Sequence, residues 1–319
     1  MSEIPCRTGD QLSEPEQDHR IRLAAFSFLE RQVELHGEVL PRGLLQKGFD
    51  FRGQRIPLMS PKGIFKPAEM SLPLTITTVY QGPYADSFTE NGLLAYKYRG
   101  TDPRHPDNVG LRKLMARRIP LIYFHAILKG KYLAAWPVFI EADLPEALSF
   151  TVALDDDRFV LAAHQEQGED EAADSGDRAR RIYVTSTFRR RLHQQSFRER
   201  VLRAYREQCA LCRLRHAELL DAAHILPDSD PEGVPTVENG LALCKLHHAA
   251  FDRQFLGITP DYIVRVRPDI LDEEDGPMLR YGLQGLHTQR ILYPNNKSLR
   301  PNPEYLARRY ELFLAEGLG

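Results

Sequence analysis

The sequence predicts an α+β chain in two parts, a mixed, mainly antiparallel β part followed by a small metal-centred part. Three observations carry that expectation. Within the first 154 residues lie several β-branched or aromatic runs of strand length. Residues 155–177 then carry nine acidic side chains and one base, Arg158, the composition of a solvated linker. Beyond it, Cys209, Cys212 and Cys244 fall within 36 residues of one another. The N-terminus is polar and acidic, which does not read as an export signal, so this clustering favours a metal site over a disulfide framework. The fourth cysteine, Cys6, is left without a role. The expected organisation is a β-rich part over residues 1–154, an acidic linker over 155–180, and a metal-centred part over 181–319 with its core at 205–258.

Each element has its own justification. From Ile21 the apolar residues Ala25, Phe28, Leu29 and Leu35 recur at helical spacing until Gly37, while the first 20 residues read as a loose arm. Residues 49–56 are a short strand candidate with turn-like Arg52-Gly53, and the β-branched run at 72–80 reads as a strand. Another strand candidate lies at 93–99, followed by a helix opened by Asp107 or Asn108 and running to about Arg118. Residues 120–128 and 132–140 are long strands joined by the tight turn Lys129-Gly130-Lys131. Pro137 suits only an edge or a bulge of that sheet, because it has no amide hydrogen to donate. Near the end, 262–267 reads as a strand and 303–315 as a helix, and residues 282–291 are placed to cross back against the core; the lone His287 is assigned no catalytic role.

The 319 residues carry a net charge of −2 and are 42% hydrophobic. No apolar run reaches the roughly 18–20 residues of a bilayer span, so a cytoplasmic protein without membrane contact is expected. The near-neutral total excludes a chain coated in positive charge, yet it is a cancellation. Residues 178–215 hold twelve arginines against Glu199 and Glu207. Such a run is commonly a solvated helix face; abutting a cysteine cluster, it also suits phosphate contact. Arg189, Arg190, Arg191, Arg198, Arg213 and Arg215 are the candidates, and Arg99, Arg104, Arg112, Lys113, Arg117 and Arg118 could serve likewise in the first part.

The chemistry concentrates at 209–258. Cys209-x2-Cys212 and Cys244-x2-His247 are two ligand pairs able to close a tetrahedral structural zinc site. His224 stands in a short strand ending at Pro227, and Asn239-Gly240 precedes a second strand leading into Cys244. His248 and Asp252 are spaced i,i+4, which on a helix puts both on one face, where they can share one divalent cation. His247 and His248, being adjacent, point about 100° apart and can serve two different metals.

This ordered set, AHI-x-P followed by N-G-L-x-L-C-x-x-H-H-x-x-F-D, resembles the HNH, or ββα-metal, nuclease family over residues 205–258. The resemblance implies two antiparallel strands and a helix gripping one divalent metal. It implies His224 as the general base, Asn239 as the residue fixing the loop that orients it, and His248 and Asp252 as ligands of Mg2+ or another divalent cation. Many relatives carry a further ligand just before the base; here that position is Ala223, which cannot ligate, and Asp221 is the candidate substitute. The whole chain resembles bacterial HNH restriction endonucleases, and its first part resembles the SRA/PUA-like modules that read modified bases. Tyr84, Asp86, Tyr96, Tyr98 and Asp102 are the base-pocket candidates on that view, while strand aromatics such as Trp136 are more commonly core.

Expected, then, is a restriction-type endonuclease acting on double-stranded DNA, with or without modified bases, and a homodimer suited to cutting both strands. Two other readings stay open. One is a zinc-stabilised DNA-binding protein without catalysis. The other is a nuclease whose first part senses a ligand or a protein partner.

Overall fold

The computed structural model describes residues 13–78, 87–88, 93–155, 177–274 and 276–316. Most of the predicted acidic linker, together with Cys6, Tyr84 and Asp86, lies outside them. The chain divides into two compact units, Met1–Leu192 and His193–Gly319. That division falls later than the sequence boundary at 180 because helix α4 (Asp177–Ala204) enters both cores. Its Val184, Phe188 and Leu192 pack in the first unit, and Phe197, Val201 and Leu202 in the second.

The first unit opens on α1 (Glu14–His36), which begins inside the stretch expected to be a loose arm. Pro15 in the first turn and Glu14 and Glu16 against the helix dipole favour an early start. Asp18 anchors that turn by accepting from Ser71 N, Ser71 Oγ and Leu72 N. Ile21, Ala25 and Leu29 are buried as the spacing predicts, whereas Leu35 is exposed. Then come β1 (Val39–Pro41), α2 (Arg42–Lys47), and β2 (Phe49–Phe51) paired antiparallel with β3 (Gln54–Ile56), so the single strand candidate at 49–56 is a hairpin turning at Arg52-Gly53. Its turn residues Arg52 and Gly53 both take positive φ, as a tight hairpin requires.

The main sheet of this unit is built from β4 (Ile64–Phe65), β5 (Thr75–Thr78), β6 (Ser87–Phe88), β7 (Leu94–Lys97), β8 (Leu121–Leu128), β9 (Lys131–Leu144) and β10 (Ser149–Leu154). The strand order is β4-β5-β8-β9-β10-β7-β6, with β1 also paired to β9. Every pairing is antiparallel except β5 with β8. Helix α3 (Pro106–Arg117) is capped by the His105 side chain, which accepts from the Asp107 amide. Both sheet faces are buried. Tyr123, Leu133 and Ala135 enter one core with Leu111, Leu114 and Phe188. Phe124, Ala134 and Trp136 enter the other with Ile21 and Leu29 of α1. This two-sided burial explains why β8 and β9 read as continuous apolar runs without polar alternation. Pro137 sits in an internal strand, opposite a register shift between Leu121 and Tyr123, so the bulge alternative holds and the edge alternative does not.

The second unit contains β11 (Leu220–His224), β12 (Gly240–Cys244), α5 (Lys245–Asp252), β13 (Leu256–Ile258), β14 (Val264–Val266), α6 (Pro268–Asp272), α7 (Pro277–Gly282) and α8 (Pro303–Glu316). β11 and β12 pair antiparallel, with His224 opposite Gly240. Leu283, Leu286 and Ile291 return to the core, as expected of residues 282–291. Gly240 is there for close packing. A Cβ on it would lie 2.5 Å from Val201 Cγ2 and 3.0 Å from Phe197 Cζ, so α4 could not approach β12 if this residue were larger. Among the described residues, no helix is long and apolar enough to cross a membrane.

Candidate active site and metal centre

The hairpin of β11 and β12 and the helix α5 bring the predicted site residues of the second unit together. Adjacent histidines on α5 separate as the helix turn demands. His247 is buried and faces the cysteines; His248 faces two carboxylates.

Cys209, Cys212, Cys244 and His247 present their ligand atoms within 4.8 Å of one another, and among the described residues they are the one such group of three or more. Nδ1 of His247 lies 3.4 Å from Cys209 Sγ and 3.2 Å from Cys244 Sγ, and Cys212 Sγ lies 3.9 Å from Cys244 Sγ. A tetrahedral zinc ion would set its sulfurs about 3.8 Å apart and sulfur and nitrogen about 3.6 Å apart. The cluster therefore fits zinc in both donor type and spacing. The other ring nitrogen, His247 Nε2, lies 2.7 Å from the Gly282 carbonyl, a partner that fixes the tautomer and leaves Nδ1 free to ligate. Burial works against charge on His247, yet its bonds with Cys209 and Cys244 lift its pKa to about 10. The thiols compete for protons. Cys209 is pushed down by hydrogen bonds with Cys212 and Cys244, and Cys212 is pushed up by the same contact with Cys209. A dication would end that competition by replacing the protons.

His224 closes β11. Its imidazole stacks on Phe197 with centroids 4.1 Å apart and planes 12° from parallel. The buried Nε2 atom lies 3.2 Å from Asp228 Oδ1 without hydrogen-bond alignment. Burial lowers the His224 pKa from its ordinary value, the charge of Asp228 opposing the effect and that of His248 adding to it. Asn239 is fully buried. Its side chain accepts from Leu226 N at 2.9 Å and donates to Leu226 O at 3.0 Å and Val234 O at 3.2 Å. Its own carbonyl accepts from Ile225 N. Asn239 thus clasps both residues that follow His224.

His248 lies between two carboxylates. Nδ1 is 3.5 Å from Asp221 Oδ2, and Nε2 is 3.2 Å from Asp252 Oδ2. These contacts, Asp221 first, raise the His248 pKa to about 9. Asp221 is held down at about 2 by His248 and by Lys245, whose Nζ is 2.6 Å away. Arg198 Nε stands 3.8 Å from the other Asp221 oxygen. Asp252 is lowered chiefly by His248. Two donors in neighbouring positions around an octahedral ion with 2.1 Å bonds stand about 3.0 Å apart. The His248–Asp252 spacing suits that arrangement.

Residues 209–259 match the family model described as HNH endonuclease. They form an HNH endonuclease domain. This domain makes the chain an endonuclease, and it contains all the residues discussed above apart from Phe197 and Arg198 of α4 and the Gly282 carbonyl. Two solved structures are similar to the chain at 16% identity. One is the modification-dependent restriction endonuclease TagI, with a TM-score of 0.30, covering 88% of this chain and 89% of that one. The other is the Type IV phosphorothioation-dependent restriction endonuclease ScoMcrA, with a TM-score of 0.20, covering 81% and 60%. No curated protein matches the chain.

The remaining candidates scatter. Of the proposed phosphate contacts near the HNH domain, Arg213 and Arg215 are exposed. Arg198 instead donates to the carbonyls of Ala217 and Leu220, each at 2.8 Å, which ties α4 to β11. Arg189, Arg190 and Arg191 belong to the first unit, where Arg191 lies 3.6 Å from Glu38. In that unit Tyr96 and Tyr98 are buried core residues and expose no ring face to a base. The Tyr98 hydroxyl donates to Asp143 and accepts from Arg112 Nη2. Asp102 stays at the surface and accepts from the Arg104 amide.

Sequence reasoning missed Phe197, Asp228, Lys245 and Arg309. Asp228 is i+4 from His224 and could have been flagged by spacing. Arg309, on α8, donates to the Phe251 carbonyl at 3.1 Å and lies 3.9 Å from Asp252 Oδ1. Nothing in the sequence signals a contact across so many residues.

Proposed function

We propose that the chain is a metal-dependent DNA endonuclease of restriction type, in which the HNH domain hydrolyses phosphodiester bonds and the first unit supplies the address. The carrying observation is the meeting of His224, the His248–Asp252 pair and the Asn239 clasp on one hairpin-helix frame. His224 is the general base. Burial keeps its imidazole neutral near pH 7, so it can accept a proton from the attacking water. Asn239 and Phe197 hold the strand exit and the ring plane. His248 Nε2 and Asp252 would hold Mg2+ or a similar ion, with water and substrate completing its shell. When bound, such an ion stabilises charge on the scissile phosphate and the leaving 3′ oxygen.

Asp221, considered as a third ligand, fits a different role. It faces the opposite ring nitrogen from Asp252 and is already paired with Lys245. It therefore orients His248 from behind, as carboxylates commonly do for metal-binding histidines. Ala223 is buried in the core, so nothing at that position supplies the missing ligand. The Cys3His cluster is read as a structural zinc site that anchors the start of α5.

The first unit is proposed to read the DNA, modified bases included, in the manner of an SRA/PUA-like module. It has its own cores and contributes none of the residues at the site above. Two strands cut by one site per chain would call for a homodimer. A plasmid-nicking assay in Mg2+ or Mn2+ tests the core of the proposal. His224→Ala should lose about two to four orders of magnitude in rate. Cleavage of ordinary speed by that variant would sink the assignment of the base, and cleavage by neither protein would leave a DNA-binding module instead. Comparing plain duplexes with ones carrying 5-methylcytosine tests the reader role; equal rates on both would remove it.

A further inference from the structure

In the first unit, a cavity of about 380 Å³ lies between the start of α1, residues 71–72 and residues 117–120. It is lined by three guanidinium groups, Arg22, Arg117 and Arg118, and by one carboxylate, Asp18. The carboxylate is already committed, since it accepts three hydrogen bonds from Ser71 and Leu72. Arg22 is only 2% exposed. Its Nη1 donates to the Pro120 carbonyl at 3.0 Å and its Nη2 to the Pro73 carbonyl at 2.7 Å. Its buried Nε has no partner. Arg117 and Arg118 are exposed and have no ion-pair partner among the described residues. Leu23, Phe26 and Ile119 supply apolar wall.

Burying a guanidinium is costly, and the charge of Asp18 offsets that cost only in part: burial still draws the Arg22 pKa down to about 10. Two carbonyl bonds would suffice to brace α1 against the loops at Pro73 and Pro120, but bracing explains neither the unpartnered Nε nor the two unpaired arginines beside it. A concave site with excess positive charge at polar points and apolar walls suits an anion attached to an apolar or flat body. Guanidinium forks pair bidentately with two oxygens of a phosphate, and three guanidinium groups suit its higher charge better than the single charge of a carboxylate.

We propose that this cavity is a phosphate-ester binding site, with Arg22 at its base and Arg117 and Arg118 at its rim. The phosphate could belong to a free nucleotide or to DNA held by the first unit. The cavity is large enough for a nucleotide-sized body, within the usual range of small-molecule sites. The inference does not depend on the nuclease reading, because it is tested by binding and not by cleavage.

The test is calorimetric titration of the full chain, without divalent metal, using inorganic phosphate, a deoxynucleoside 5′-monophosphate and a short duplex lacking terminal phosphates. The His224→Ala variant serves as the parent, so that no cleavage intrudes. Saturable binding of the nucleotide should weaken by about tenfold or more in Arg117→Gln/Arg118→Gln. It should also be lost in Leu23→Trp, which fills the cavity without removing charge and starts from an exposed position, so folding is preserved. If the duplex alone binds and the same variants weaken it, the site stands and its phosphate is that of DNA. The proposal fails if no probe saturates up to about 10 mM, or if binding is the same in both variants as in their parent.

Discussion

The ring of Phe197 lies flat against the imidazole of His224, 4.1 Å between centroids. Phe197 comes from α4, outside the matched HNH stretch of 209–259. It packs against Gly240, the residue paired with His224 across the hairpin. One aromatic side chain therefore touches both members of the His224–Gly240 pair and sets the plane of the proposed base. Phe197→Leu keeps apolar volume and removes the flat face. It should lower kcat about ten- to a hundredfold, since small misplacements of a reacting group are costly, while KM for DNA changes little. Single-turnover kinetics on a plasmid would measure this; a purely structural role would show as a lower melting temperature with kcat intact.

Asn239 makes three side-chain hydrogen bonds in a fully buried setting. Asn239→Ala leaves Leu226 N and two carbonyls without these partners and should cost about 3 kcal/mol of stability. Asn239→Asp retains the acceptor for Leu226 N but loses both donors and places a charge in the core, so it should be no better. Denaturant unfolding of the two variants checks this, with equal stability to the parent as the contrary result. The rate of any folded fraction should fall as well, because the clasp holds the residues that follow His224.

Much of the second unit was legible from the sequence because its chemistry is local. Two-residue gaps between ligands, adjacent histidines and an i,i+4 pair survive any tertiary arrangement. The first unit hid more. Tyr96 and Tyr98 alternate with half-buried Ala95 and Lys97 along β7 and just past its end, so the pattern marks an inward face without telling whether that face meets a core or a pocket. Arg22 resembles any helical arginine until the loops at Pro73 and Pro120 close over it. The same holds for Arg309 behind Asp252, a contact spanning 57 residues.

The Cys3His cluster makes a distinct prediction about metal content and folding. Structural zinc contributes about 10–16 kcal/mol in small sites, comparable with the whole stability of a typical domain. Elemental analysis of the purified chain should find one tightly held zinc. Cys244→Ser and Cys212→Ser should lose it, whereas Cys6→Ser should not. Because each unit has a core of its own, chelation should melt the second unit while the first keeps its secondary structure. A chain that holds no zinc and melts identically with and without chelator would remove the zinc assignment.

The pH profile tests His224 by sign. A general base works in its neutral form, so the rate falls as pH drops through its pKa. Burial depresses that pKa below the ordinary 6.5, and the charge of His248 adds to the effect, with Asp228 and Asp252 opposing. A cation held by His248 and Asp252 would displace the His248 proton and push in the same direction. The acid limb of log kcat against pH should therefore have its midpoint below about 6.5, with slope near one. Replacing Asp228 with Asn removes the nearest opposing charge and should move the midpoint lower still, without abolishing activity. A midpoint above 6.5, or one that rises in Asp228→Asn, would contradict a buried neutral imidazole as the base.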